Sequence, residues 1–123
     1  VKKQENTIIG QMLKGTYQEK VITTKHGDFK VTYPTGKDTD LISRVNASSL
    51  NGLPRNSFDG ASLGRYHVNA TLEVVITEYP KDFPEAWQKG NISEFPDQEV
   101  KNLLFKEFNT FRDKTQESIS KES

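Results

Sequence analysis

Residues 84–119, PEAWQKGNISEFPDQEVKNLLFKEFNTFRDKTQESI, decide how this chain folds, because they place large apolar groups at helical spacing on a long helix-forming stretch. Pro96 sits where a first-turn proline is tolerated, and the acids Asp97 and Glu99 suit the positive end of a helix dipole. Val100, Leu104, Phe108 and Phe111 recur at steps of four, four and three residues and so form one stripe. Leu103 and Phe105 widen that stripe on opposite sides, giving more apolar surface than one small neighbour needs to cover. The surplus points to a partner; the plainer alternative is that a long amphipathic helix in a small domain packs on the rest of its own chain. Leu103 and Phe105 cannot both point with Phe108, which predicts that Phe105→Ser weakens partner binding at little cost in stability, whereas Phe108→Ser unfolds the domain. The helix is expected to run to about Ser118, with a flexible tail over residues 119–123.

Upstream of this helix, residues 80–96 read as a compact connector carrying Trp87 and Phe95. Trp87, the only tryptophan, is expected to close the connector over the core, and its alternative role is that of an interface anchor. From Ser57 or Asp59 a helix is predicted to continue to about Tyr79, with Leu63, Tyr66, Ala70 and Val74 on one side. The run LEVVIT at 72–77 has the β-branched content of a strand, but no turn residue interrupts the four-residue pattern, and a helix is the expectation. Asp38 or Thr39 caps an earlier helix that buries Leu41, Ile42 and Val45 and stops near Asn51-Gly52.

Before that helix, residues 20–25 and 28–33 form a β-hairpin about a His26-Gly27 turn, with Thr24 opposite Phe29 and Ile22 opposite Val31. The Ile22, Phe29, Val31 face must lie on helices, since an isolated hairpin is barely stable. Ile8, Ile9, Met12 and Leu13 fit a short helix ended by Gly15, after a flexible start at about residues 1–6. The fold class is α+β, mainly α: one small helical domain with one β-hairpin, spanning residues 1–123.

Composition narrows the function. The 123 residues contain no cysteine, which excludes thiol chemistry, disulfides and thiolate metal sites. Seventeen basic residues balance 17 acidic ones without a basic cluster, a poor match to phosphate backbones, so no nucleic-acid partner is expected. No stretch approaches the roughly 18–20 apolar residues of a membrane span, and the first fifteen residues do not make a signal peptide, so a soluble intracellular protein with no membrane partner is expected. A mean hydropathy of -0.74 is polar for a folded domain and suits a surface completed by another protein.

Apparent chemical motifs dissolve on inspection. Thr35-Gly36-Lys37-Asp38 matches the end of a phosphate-binding loop only in part, since Asp38 stands where Ser or Thr is required and Val31 where the first glycine should be. His26 and Asp28 flank a turn glycine without further ligands, and Asp38 with Asp40 is explained by helix capping. His67 reads as a boundary residue, and the three Asn-X-Ser/Thr triplets at 46, 69 and 91 read as chance matches. No catalytic constellation, metal site or cofactor is expected.

The order of elements carries a family resemblance. A hairpin ending FKVTYPT (29–35), a capped helix LISRVNASSL (41–50), a central segment ending LEVVITEYP (72–80), then PEAW (84–87), an acidic helix start and LLFKEFNTFRDK (103–114) resembles the tail assembly chaperones of long-tailed, siphovirus-type bacteriophages. In that family a tryptophan shortly after a proline precedes a helix with repeated Leu, Phe or Tyr; here the matching positions are Pro84, Trp87, Leu103, Leu104, Phe108 and Phe111. The resemblance implies a non-enzymatic protein of the host cytoplasm that binds the tape measure protein, keeps it soluble, helps recruit tail tube protein and leaves before the tail is complete; separately, since Leu103 and Phe105 cannot both turn inward, one of them is expected to stay exposed or to meet another copy, a route to self-association. The resemblance also implies a partner-binding set of Trp87, Leu104, Phe105, Phe108 and Phe111; a frameshifted longer product, frequent in that family, would extend the C-terminus if one exists here. The alternatives are a structural head-tail joining or tail-completion protein of the virion, and a small enzyme or inhibitor that would bring His26, His67, Asp38 or Asp40 into one pocket.

Overall fold

In the computed structural model, which describes residues 18–122, three antiparallel strands form a sheet packed on two helices, and a third helix covers one of these from outside. Strands β1 (Glu19–Thr24) and β2 (Gly27–Thr32) form the hairpin, helices α1 (Gly36–Ser48) and α2 (Gly60–Val75) follow, β3 (Ile76–Glu78) completes a sheet of order β1-β2-β3, and α3 (Gln98–Glu122) closes the chain. The fold is small α+β, mainly α. The short helix expected over residues 8–13 lies outside the described residues.

The hairpin turns one step earlier than expected. Lys25 and His26 form the turn and Gly27 opens β2, so Ile22 pairs with Phe29, Lys20 with Val31 and Thr24 with Gly27. Because the register moves by two residues, every side chain keeps its face, and Ile22, Phe29 and Val31 are all buried as expected. Gly27 sets the register: its φ of +114° falls just after the turn, in a region L side chains rarely adopt. The Thr24 side chain closes the loop, its hydroxyl donating to the Gly27 carbonyl at 2.8 Å and accepting from the His26 N–H at 3.1 Å.

The central segment changes state where a continuous helix was expected. α2 stops at Val75, and Ile76–Glu78 leaves as a strand along the outer edge of β2, pairing Val31 with Ile76 and Lys30 with Glu78. β-branched residues lose little in extended backbone, and the free edge of β2 offers hydrogen bonds while Ile76 enters the core. The inward side of α2 is also rotated from the expected stripe: Val68, Thr71, Leu72 and Val75 are buried with Ala70, whereas Leu63, Tyr66 and Val74 are half-buried. Asp59 caps this helix, accepting the Ser62 N–H at 2.7 Å.

α1 is capped by Thr35, three residues before one of the expected positions. The Thr35 hydroxyl accepts the Asp38 N–H at 3.2 Å and the Asp38 carboxylate accepts the Thr35 N–H at 3.0 Å, a reciprocal capping box. Asn51 at φ 52° and Gly52 at φ 80° turn the chain after the helix, as expected. Its apolar residues are less buried than expected. No residue of α1 is buried; Leu41 is 41% exposed, and Ile42 and Val45 are half-buried, because α1 packs on α2 from outside the core.

The connector is richer in core residues than its sequence pattern shows. Phe83, Ile92 and Phe95 are buried, and their rings interlock with neighbours edge to face: Phe83 with Phe95 at 4.9 Å between centroids and with Phe29 at 5.3 Å. Trp87 is half-buried against Phe83 and Phe95, the position expected of a residue pinning the connector. Glu73 of α2 holds the same segment by its backbone, its carboxylate accepting the Gly90 N–H and, at 3.3 Å, the Ile92 N–H. The Tyr79 phenol is pushed up to about 12 by burial and then by the nearby Glu73 charge. Glu73→Ala is expected to lower stability by about 1–3 kcal/mol, since two backbone donors lose their acceptor. A urea melt reads this as a lower midpoint.

Asp97, and not Pro96, starts α3: it accepts the Val100 N–H at 3.1 Å, and Pro96 precedes the cap. The helix continues to Glu122, past the expected end near Ser118, with Ser118 donating to the Lys114 carbonyl and Lys121 pairing with Glu117 at 3.3 Å.

Candidate functional site

The helical stripe of α3 divides into a buried part and its margins. Val100, Leu104 and Phe108 lie within the core formed by Ile22, Phe29, Leu72, Val75 and Phe95. Phe105 and Phe111 are half-buried at its margin, and Leu103 is 38% exposed. Of the five residues assigned by resemblance to partner binding, Leu104 and Phe108 are therefore inside the fold, while Phe105, Phe111 and Trp87 each keep part of their surface open. Leu103, outside that set, lies off the buried stripe on the side opposite Phe105.

Beside Phe105 the first turns of α2 and α3 leave a groove of about 410 Å³. Buried Val68 and half-buried Phe105 lie deepest in it, and the exposed Ala61, Gly64, Arg65 and His67 line it with Gln98 and Asn102. His67 stands edge-on to Phe105 with 5.5 Å between ring centroids, and the Gln98 amide donates to the Asn102 side-chain oxygen at 3.0 Å. Arg65 donates to the Ser62 hydroxyl at 3.2 Å.

Between α2 and α3, outside the lining of this groove, lies a charge that sequence reasoning missed. Lys101 is only 3% exposed, and its ammonium donates to the Asn69 side-chain oxygen at 3.1 Å. Burial, and then the Arg65 guanidinium nearby, hold its amine below the ordinary lysine range. Glu94 acts on it only through space, and among the described residues no carboxylate lies within ion-pair distance of Lys101 or Arg65. The signal was legible: residues 101, 104, 108, 111 and 115 follow steps of three and four, so a lysine at 101 falls on the inward arc.

The two histidines serve separate places. His26 lies against Asp97 at 2.8 Å and edge-on to Phe95, lining a different groove from His67. Asp38 is engaged in its capping box, and Asp40 is exposed on the same helix. Among the described residues no three His, Asp or Glu side chains gather to hold a metal ion, and no helix is long and apolar enough to cross a membrane.

Asp97 joins the hairpin turn to the start of α3. Its carboxylate is held well below the usual carboxylate range, first by His26, then by Lys25 at 3.0 Å and by the Val100 N–H. A carboxylate lowered in the folded state contributes stability above its unfolded value near 3.8 and loses that contribution as pH falls toward its folded value. Acid unfolding below about pH 4 is therefore expected to be less steep in Asp97→Asn than in the parent, measured by circular dichroism at fixed temperature. Equal slopes would remove Asp97 as the acid-sensitive joint.

Compared with protein-family models, curated proteins and solved structures, the chain matches none.

Proposed function

We propose that this protein is a non-enzymatic assembly chaperone of a long-tailed bacteriophage, which binds the tape measure protein through the margins of the α3 stripe, keeps it soluble in the host cytoplasm and helps recruit tail tube protein. The observation that supports this reading is the unspent width of the α3 stripe. After Val100, Leu104 and Phe108 have filled the core, Leu103 on one side of the buried stripe, Phe105 on the other and Phe111 further along keep apolar surface partly open. These two margins each suit modest packing against a long apolar helix, and several modest contacts by many copies permit later release.

The test is co-expression with the longest helix-rich open reading frame encoded beside this one. The partner should become soluble and co-purify with several copies of this protein. Leu103→Asp should abolish capture while changing stability by no more than ~0.5 kcal/mol, since the side chain is already partly in water. A partner that stays insoluble beside the folded parent protein would reject the chaperone reading. Peptides of this protein in purified virions would favour a head-tail joining or tail-completion component.

A further inference from the structure

We infer that the α2–α3 groove is a docking site for an acidic amphipathic helix of a partner protein, with an apolar side chain seated over Gly64 and Val68 and a carboxylate on Arg65. This goes beyond the assembly role, since it stands whichever protein supplies the helix. Three observations converge on it.

The first is shape. Gly64 is in the interior of α2, where glycine costs helix stability relative to alanine, yet a Cβ built there meets nothing within 4 Å. Nothing in the described fold uses the clearance, and with Ala61 one turn earlier it leaves the backbone of α2 open to close approach above Val68 and Phe105. The second is charge. Arg65 stands on the rim with a serine hydroxyl as its bonded partner, and the buried Lys101 adds a second cation held by a neutral amide alone. The carboxylates that feel them, Asp59 for Arg65 and Glu94 for Lys101, do so without an ion pair, and among the described residues no acid lines the groove. A carboxylate arriving at Arg65 would supply the counter-charge its guanidinium lacks in the fold. The third is chemistry of the floor and rim. Val68 and Phe105 give an apolar floor with the paired Gln98 and Asn102 amides at its edge, the mixture that receives one face of an amphipathic helix.

The test uses the 15N-labelled 123-residue chain and two synthetic helical peptides: one repeating leucine and glutamate at i, i+3 and i+4, the other identical but with lysine for every glutamate. The acidic peptide should bind saturably, shift amide signals of residues 61–68 and 98–105, and weaken with added salt. Arg65→Gln should weaken it about tenfold, the loss of one charge-assisted contact. Gly64→Leu should abolish binding by filling the groove, while signals elsewhere stay in place and report an intact fold. No binding at millimolar peptide, equal binding of the lysine peptide, shifts on another face, or undiminished binding to Gly64→Leu would each overturn the proposal.

Discussion

Phe108→Ser should leave this protein unable to hold its fold at room temperature. The Phe108 ring is 1% exposed, touches the core contributed by the sheet and α2, and carries the Arg112 guanidinium over one face at 5.8 Å from its centroid. Truncating a buried phenylalanine costs about 3–5 kcal/mol, and a hydroxyl left unpaired in the space adds ~1–3 kcal/mol. Domains of this size have about 5–15 kcal/mol in total, so the loss takes most or all of it. Near-ultraviolet circular dichroism and amide dispersion should both collapse. A cooperative melt within a few degrees of the parent would mean that α3 is not packed by this face. Phe105→Ser is the comparison. The ring is half-buried against the core and His67, so the expectation of negligible cost is revised to about 1–2 kcal/mol, with a folded product.

Gly27→Ala is the second large effect, and its cause is backbone geometry. At φ +114° an L side chain is strained wherever it is placed, and a Cβ here would stand 2.8 Å from the Cβ of Pro80. Pro80 is itself buried where β3 gives way to the connector, so the clash cannot be relieved by swinging a flexible chain. Strain and overpacking together predict a loss of about 2–4 kcal/mol. Gly36→Ala is the control, because Gly36 has no positive φ and its added Cβ meets nothing within 4 Å; its effect should stay within ~0.5 kcal/mol. If the two variants had equal midpoints in urea, the hairpin turn would not depend on Gly27, and the register described here would lose its physical basis.

Residues whose fate is governed by their near neighbours were legible without coordinates. The alternation of Ile22, Phe29 and Val31 puts them on one buried face although the turn falls a residue earlier than the sequence pattern suggests, since an even shift in register preserves faces. Val100, Leu104 and Phe108 were readable as one helical stripe for a similar reason: helix period follows from backbone geometry alone. Asp38 as part of a cap and the turn at Asn51-Gly52 also depend on atoms only a few residues apart.

What the pattern could not carry is competition between distant groups. Leu72 to Thr77 is compatible with helix or strand, and the open edge of β2, more than 40 residues earlier, decides for a strand from Ile76. The apolar residues of α1 satisfy a helical stripe, yet the core is already filled from α2, α3 and the connector, leaving Leu41 in solvent. The candidate site follows the same division. The width of the α3 stripe was visible in the sequence, whereas the groove beside Phe105 and the pairing of Lys101 with Asn69 exist only because α2 and α3 are brought together. By itself the sequence determined the local conformations and the inward faces of the hairpin and of α3, because those rest on short-range sterics and periodic burial; which surfaces remained uncovered was decided by the tertiary structure, because burial is shared among all elements that compete for one core.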